Sequence, residues 1–337
     1  MTDNDILDLV VVGAGPCGIA VGAAAAQNGD VSCRLFDRGC VTSSIVHYPY
    51  YMDFFSTARK LEIEGVPFSI PDTNPSRREA LAYYRRVVEH FDMDVRQYED
   101  VVAIEGSTGD FRIRTRKIRG GEETVTRCRA VVVATGGFHE PNWLGVPGED
   151  ADKVSHWYYE PYPYWDQDVV VVGGGNSAVD AALELYRNGA RPTLVHFASE
   201  LDSGVKPWVR PDIDNRLERG EIPVFWKHRV AEIRPTEVVL RSDESGELTT
   251  IPNDFVLAMT GWRANPAVLL ELGVSVDDAT GIPTHDPETM ETDVPGVYIA
   301  GVLAAGHNAN KVFIENGKEH GGLIVQAYDR PGVASSG

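Results

Sequence analysis

The sequence predicts an α/β protein of two doubly wound parallel sheets, the second domain inserted into the first. Three observations carry this. Val10-Val11-Val12-Gly13-Ala14-Gly15-Pro16-Cys17-Gly18 and Val169-Val170-Val171-Val172-Gly173-Gly174-Gly175-Asn176-Ser177-Ala178 each place a glycine-rich turn between a valine run and an alanine-rich helix. The buried-strand pattern AVVVATG at 130–136 is echoed by FVLAMTG at 255–261, so the architecture is duplicated with little sequence identity. The chain has 337 residues, 43% apolar and 24% charged, enough for about two domains with ordinary cores.

The elements follow in order. Residues 8–12 are a short apolar run ended by glycine, the pattern of a buried parallel strand. Residues 16–28 predict a helix, with Pro16 at its start and Gly29 at its end. Residues 33–37 complete a βαβ unit. Residues 41–75 are rich in aromatics and turn formers and suggest loops over a ligand; 76–91 predict an amphipathic helix. Residues 100–129 alternate as strands around a Gly120-Gly121 hairpin turn, and 130–136 form a further strand. Residues 143–168 form a linker rich in Pro and Tyr. A second βαβ unit follows, with strands at 169–172 and 192–197 and a helix at 177–188. A strand at 255–261, another at 297–301 and a last helix at 309–328 close the fold. The inserted domain is expected at 150–263, within a domain made of 1–149 and 264–337.

Composition narrows the class. A net charge of −19 describes a solvated acidic surface, or adaptation to salt, and disfavours nucleic acid and anionic membranes as partners. No apolar run approaches the roughly 20 residues of a membrane span. The acidic N-terminus lacks the pattern of a signal peptide, so a cytoplasmic location is expected. Cys17, Cys33, Cys40 and Cys128 form no C-x-x-C, so neither a zinc ribbon nor a vicinal redox pair is predicted, and no metal site is expected.

The glycines have separate tasks. Gly13 allows the tight turn, Gly15 lets the backbone approach a pyrophosphate, and Gly18 lets the helix pack on the sheet. The helix N-terminus then faces the phosphates with free N–H groups and its dipole. Asp37, at the end of the second strand, stands where a ribose is bound. A loop this near the N-terminus, with AVVVATG and Gly136 much later, favours FAD here. The second loop, with Gly173, Gly175, Asn176, Ser177 and the allowed Ala178, suits a nicotinamide coenzyme. Two nucleotides side by side suggest a flavoenzyme fed by a nicotinamide. The second βαβ unit ends in His196-Phe197 and not in Asp or Glu, so nothing repels a 2′-phosphate and NADPH is expected over NADH. His196, Lys206, Arg191 and Arg210 are its candidate cationic partners, although Arg191 and Arg210 taken alone read as surface residues.

Several stretches extend this. They are GAGPCG at 13–18, YPYYMDFFSTARKLEIEGVPF at 48–68, REALAYYRRVV at 78–88, GGGNSAVDAALELYRNGA at 173–190, KPWVRP at 206–211 and YIAGVLAAGHNANKVFIENGKEHGG at 298–322. Over nearly its whole length the chain resembles the low-molecular-weight thioredoxin-reductase type of flavoprotein, and more narrowly the bacillithiol-disulfide (bacilliredoxin) reductase family. The resemblance implies FAD, NADPH, a homo-oligomer and reduction of a small-thiol disulfide or of its thiol-carrier protein. It departs from thioredoxin reductases in two ways. No cysteine occurs in 156–167, where they carry C-x-x-C, and Gly301 is followed by Val302 where they have Asp.

Cys17 is the candidate catalytic residue. The helix dipole lowers a thiol pKa there, whereas a bound pyrophosphate raises it, and this loop ordinarily meets the pyrophosphate and not the flavin ring. Chemistry alone reads Cys17 as a small packing residue; the resemblance makes it the redox residue. Cys33, Cys40 and Cys128 read as packing or surface thiols. The last helix, starting near Asn310, is expected to aim its N-terminus at the flavin, helped by Lys311. Tyr48, Tyr50 and Phe54 flank the flavin or fill core, and His307 is a proton donor or a structural histidine. Three other functions stay open. A ferredoxin or flavodoxin–NADP reductase also needs no dithiol, though an acidic partner would meet this acidic chain poorly. A flavin monooxygenase would place a histidine 4 residues after the glycine, but His156 falls 8 after Gly148. The third is a non-catalytic redox sensor.

Overall fold

A computed structural model describes residues 6–138, 140–308 and 311–329. The chain divides into two compact units, 1–140 with 262–337, and 141–261. The sequence suggested the divisions at 150 and 263.

The first unit opens with β1 (Leu7–Val12), α1 (Pro16–Asn28) and β2 (Cys33–Asp37), at the expected positions. Leu9, Val10 and Val11 are fully buried, because a parallel strand covered on both faces needs apolar side chains on both. Pro16 starts α1, and Gly29, in the left-handed conformation at φ 78°, ends it. A short α2 (Ser43–Val46) precedes α3 (Arg77–His90). Ser76 and Glu79 cap α3 reciprocally, and its buried face is Ala80, Tyr83, Tyr84 and Val87. Then come β3 (Asp94–Gln97), β4 (Glu99–Ser107), β5 (Asp110–Lys117) and β6 (Glu123–Val133). The expected break before 130 is absent. β6 is one strand of 11 residues, antiparallel to β5 over its first part and parallel to β1 from Cys128 onward. One strand thus serves two neighbours, and its alternating half and its all-apolar half look unlike in sequence.

The chain leaves the first unit at the short β7 (Glu140–Pro141) and, after β8 (Val154–Ser155), enters the second βαβ unit. This consists of β9 (Asp168–Val172), α4 (Asn176–Arg187) and β10 (Arg191–His196). α5 (Arg210–Glu218), β11 (Val224–Trp226), β12 (His228–Ile233), β13 (Glu237–Ser242), β14 (Leu248–Pro252) and β15 (Phe255–Ala258) complete it. Its parallel sheet has the order β11-β10-β9-β15-β8, with a separate antiparallel sheet β12-β13-β14. The chain returns to the first unit at β16 (Trp262–Arg263), followed by α6 (Ala267–Glu271), β17 (Val297–Ile299), α7 (Ile314–Gly317) and α8 (His320–Tyr328). β17 lies parallel to β6 in the first unit's sheet, whose other strands run β3-β2-β1-β6-β5-β4. The predicted helix at 309–328 is corrected. Its regular part starts at His320, and a single turn, α7, stands before it. No described helix is long and apolar enough to cross a membrane.

Candidate active site

The first glycine loop is shaped by close approach. Gly13 has φ +113°, and a Cβ there would lie 2.4 Å from the Ala134 carbonyl oxygen. A Cβ on Gly18 would lie 2.0 Å from the Gly13 carbonyl oxygen. Gly15, in contrast, faces open space with nothing within 4 Å of where its Cβ would be. Two glycines therefore bring strand and helix together, and the third leaves a bare crest of backbone at the N-terminus of α1. A pyrophosphate fits such a cradle. Asp37 organises this loop. Its Oδ2 accepts from the Ala14 N–H at 2.8 Å, and its Oδ1 accepts from the Gly39 N–H at 2.7 Å and the Ser43 hydroxyl at 3.3 Å. Gly136, at φ +78° just past β6, also has open space beside its Cα.

Cys17 is the second residue of α1. Its sulfur is enclosed between Gly301 and Gly317. A Cβ on Gly301 would lie 2.9 Å from Sγ, and one on Gly317 would lie 3.0 Å from it. These two glycines make the pocket the sulfur occupies. The Gly301 N–H donates to His320 Nδ1 at 3.2 Å, so the imidazole at the start of α8 fixes the strand end beside the thiol. Burial pushes the Cys17 thiol up to about 12. With its pKa raised in this way, the resting group is a thiol. Burial does the same to Cys33 and Cys128, and all four cysteines are free.

Tyr48 joins this neighbourhood. Its ring lies 6.0 Å edge-on from Phe138 and 6.1 Å from Phe54. Burial first, and Cys17 second, push its hydroxyl up to about 12. Phe54 is buried, whereas Tyr50 is half-exposed beneath the Arg77 guanidinium. The helix start expected near residue 310 lies at positions outside the described residues, and the regular part of the last helix begins at His320. Lys311 is exposed and precedes α7; Asn310 lies outside the described residues. His307 is exposed and packs its ring on Gly281.

The second loop repeats the design with one change. Gly173, at φ +141°, approaches the Met259 carbonyl, and a Cβ on Gly174 would lie 2.4 Å from His196 Nε2. Gly175 is nearly open; its Cβ would meet only Asp202 Oδ2, at 3.1 Å. Asn176 ties the following loop to this one: Nδ2 donates to the Gly204 carbonyl, and Oδ1 accepts from the Lys206 N–H, each at 3.0 Å. Ser177 is exposed and Ala178 is buried against the sheet. His196 requires correction as a cationic partner. It lies beneath Gly174 at 2% exposure, and burial holds its pKa below the usual value despite Asp202 nearby, so it is neutral at pH 7. Arg191 is taken by Asp166 and Asp168, and Arg210 by Asp214. A residue that the sequence reading missed stands at the same strand end. The Arg229 guanidinium lies 4.9 Å over the exposed Phe197 ring, with Nε 2.9 Å from Asp243. It comes from β12, far along the chain, so no local spacing could reveal it.

Three histidines give a pH signature. Burial lowers His156, His196 and His320, the last to about 4. Between pH 6.5 and the folded pKa the unfolded chain binds more protons than the folded one, so stability falls as pH falls through that window. Asp180, pushed up to about 6 by burial, opposes this. The test is therefore a comparison between variant and parent. His320→Gln is expected to lose less of its Tm than the parent between pH 7 and pH 5, in thermal unfolding of the holoenzyme. An equal loss would mean that His320 does not titrate as its burial requires.

Two Gly-turn loops on two βαβ units define a two-nucleotide oxidoreductase fold. The family model for pyridine nucleotide-disulphide oxidoreductases matches residues 10–301. The bacilliredoxin reductase of Bacillus subtilis is 44% identical over 94% of this chain and 95% of its own. The solved bacillithiol disulfide reductase of Bacillus cereus is 38% identical with TM-score 0.92, covering 96% of this chain and 99% of that one. The Staphylococcus aureus structure of the same description is 37% identical with TM-score 0.89, over 96% and 98%. The chain belongs to the pyridine nucleotide-disulphide oxidoreductase family, within its bacilliredoxin reductase branch. It is a flavin-dependent disulfide oxidoreductase, and its cofactors are FAD and NADPH.

Proposed function

We propose that this chain uses NADPH to reduce the disulfide of a low-molecular-weight thiol, bacillithiol disulfide or a close analogue, or the carrier protein that holds such a thiol. The observation that carries this is the Cys17 sulfur, set between Gly301 and Gly317 at the start of α1, just past the first nucleotide loop. The balanced reaction is NADPH + H⁺ + RSSR → NADP⁺ + 2 RSH. FAD, when bound, takes the hydride of NADPH and supplies two electrons to sulfur. Gly13, Gly15, Gly18, Asp37 and Gly136 hold it in the first unit. Gly173, Gly175, Asn176, Ser177, Ala178 and Lys206 hold NADPH in the second. Cys17, as thiolate, attacks one sulfur of the disulfide; a Cys17–SR bond forms as the S–S bond breaks, and RS⁻ leaves to be protonated. Two electrons and a proton then return the Cys17 thiolate and the second RSH.

The protein acts in the cytoplasm as a homo-oligomer. Four free cysteines fit a reducing compartment, and the family resemblance supports the assembly. NADPH oxidation is measured with bacillithiol disulfide, glutathione disulfide, a disulfide-loaded carrier protein, ferredoxin and oxygen. Turnover with ferredoxin or oxygen alone would overturn the disulfide reading.

The coenzyme choice follows from the end of β10. The strand runs out in His196-Phe197 and not in an acid, and the cation assigned to the 2′-phosphate is Arg229, which lies over the Phe197 ring and pairs with Asp243 through Nε. Arg229→Ala is expected to raise KM for NADPH by roughly tenfold, since a charged hydrogen bond is worth about 1.5–3 kcal/mol. KM for NADH should stay near the parent value. Equal effects on both coenzymes would remove Arg229 from 2′-phosphate recognition.

A further inference from the structure

The strand ends of the two βαβ units correspond residue for residue. The Gly13 N–H donates to the Phe36 carbonyl at 2.7 Å, and the Gly173 N–H donates to the Val195 carbonyl at 3.0 Å. Asp37 of β2 and His196 of β10 therefore hold the same position in the two units. Asp37 is used, since its carboxylate accepts from the Ala14 N–H. His196 is idle. Its ring lies beneath Gly174 at 2% exposure, and neither ring nitrogen has a hydrogen-bond partner among the described residues. A neutral imidazole carries one donor and one acceptor that water would satisfy, so burying both unmet calls for a reason.

Asp202 supplies it. The Asp202 N–H donates to the Gly174 carbonyl at 3.0 Å, which fastens this residue to the glycine loop. One carboxylate oxygen, Oδ1, lies 3.4 Å from His196 Nε2. The other, Oδ2, lies 3.1 Å from where a Cβ on Gly175 would stand. Asp202 thus reaches inward to a buried base and outward to the crest that a coenzyme pyrophosphate must approach. Its sign is wrong for that approach, because a carboxylate there repels a phosphate at the N-terminus of α4. Other charged groups surround the pair. Arg229 of β12 is held by Asp243, and Lys227 by Glu244. His228 Nδ1 faces the Trp226 carbonyl, Lys206 follows in the same loop as Asp202, and Glu200 is exposed there and adds negative charge.

We propose that Asp202 and His196 couple coenzyme binding to proton uptake: as the pyrophosphate settles on Gly175, His196 takes one proton from solvent and its imidazolium holds the Asp202 carboxylate. This rests on the reading of the second loop as the coenzyme cradle. In the free enzyme burial keeps His196 neutral, and Arg229 acts in the same direction. Phosphate charge arriving at Gly175 shifts the balance, because anions beside the ring favour its charged form. Nε2 then donates to Oδ1, and Asp202 no longer meets the phosphates with an unopposed charge. The proton returns to water when the coenzyme leaves, and no electron moves with it.

The test is calorimetric titration of NADP⁺ into the oxidised holoenzyme from pH 7 to pH 8.5, in HEPES and in Tris. In this range the 2′-phosphate of the coenzyme is already dianionic, its second pKa being about 6, and does not mask the effect. For the parent, Kd should rise with pH, approaching the limit of about tenfold per pH unit that one proton sets, and the heat should differ between buffers by the uptake. Asp202→Asn removes the repulsion. It should bind NADP⁺ about tenfold more tightly at pH 8.5 and lose most of the pH slope. His196→Gln keeps the repulsion and cannot take up the proton, so it should bind as weakly at pH 7 as the parent does at pH 8.5. Should that variant fold poorly, Asp202→Asn decides alone. A parent Kd that does not change with pH overturns the proposal. So does weaker binding by Asp202→Asn, which would make the carboxylate a direct ligand of the coenzyme. Gly175→Val checks the cradle by itself: if it keeps the parent Kd, the second loop does not hold the coenzyme, and the underlying reading fails whatever the pH profile shows.

Discussion

Cys17→Ser is expected to separate the two halves of the reaction. Serine is nearly isosteric, and the pocket between Gly301 and Gly317 has room for the smaller oxygen. The loop, Asp37 and the crest at Gly15 are untouched, so the variant should bind FAD and be reduced by NADPH at the parent rate. Disulfide turnover should fall by orders of magnitude, about 100-fold or more, because a neutral hydroxyl is a far poorer nucleophile than a thiolate. Stopped-flow flavin reduction and steady-state NADPH oxidation with bacillithiol disulfide measure the two halves. Parent-like turnover would show that Cys17 only packs the turn. Electrons would then pass to the disulfide without a protein thiol, and the flavoenzyme assignment would stand.

The enclosure of the sulfur sharpens this test. A thiol pushed up to about 12 is a poor nucleophile at neutral pH unless something lowers the cost of its anion. Cys33 and Cys128 are raised equally, by burial in strands where no chemistry is expected. Burial alone therefore does not mark Cys17 as reactive. What sets it apart is position: it stands at the N-terminus of α1, where two glycines open space for its sulfur.

The parts of this fold that were legible in the sequence are those dictated by short-range physics. β1, α1 and β2 were readable because a run of valines, a proline at a helix start and a glycine at its end each have a local cause. The amphipathic pattern of 76–91 likewise announced α3, which the structure shows capped by Ser76 and Glu79. What was missed depends on contacts between distant residues. β6 reads as two strands because its neighbours change halfway along. The single helix predicted over 309–328 did not foresee the separate turn α7, which ends at Gly317 against the Cys17 sulfur. His196 reads as a cation at a strand end until the bare Gly174 is seen to make room for its ring.

The glycines of the first loop permit the second large effect, because they differ in what a methyl group would strike. Gly18→Ala is expected to damage the fold. The added Cβ would lie 2.0 Å from the Gly13 carbonyl oxygen, a backbone atom that cannot turn aside, so α1 must move from the sheet. Its effect should reach the few kcal/mol typical of overpacking, with a Tm loss of several degrees in the apoprotein. Gly15→Ala should do the reverse. Its φ of −73° and ψ of 175° suit alanine, and no protein atom lies within 4 Å of the new Cβ. The apoprotein should keep its stability to within about 1 kcal/mol, because the preference for glycine over alanine at a helix N-cap is offset by the lower entropy of the unfolded alanine chain. Yet the methyl group would stand on the bare crest where the pyrophosphate must approach the backbone, so flavin retention should fall at least tenfold through desalting. Thermal unfolding of both apoproteins, with FAD content by absorbance, reads the two effects apart. If Gly15→Ala kept its flavin while Gly18→Ala kept its Tm, the loop would not be the phosphate cradle that its geometry describes.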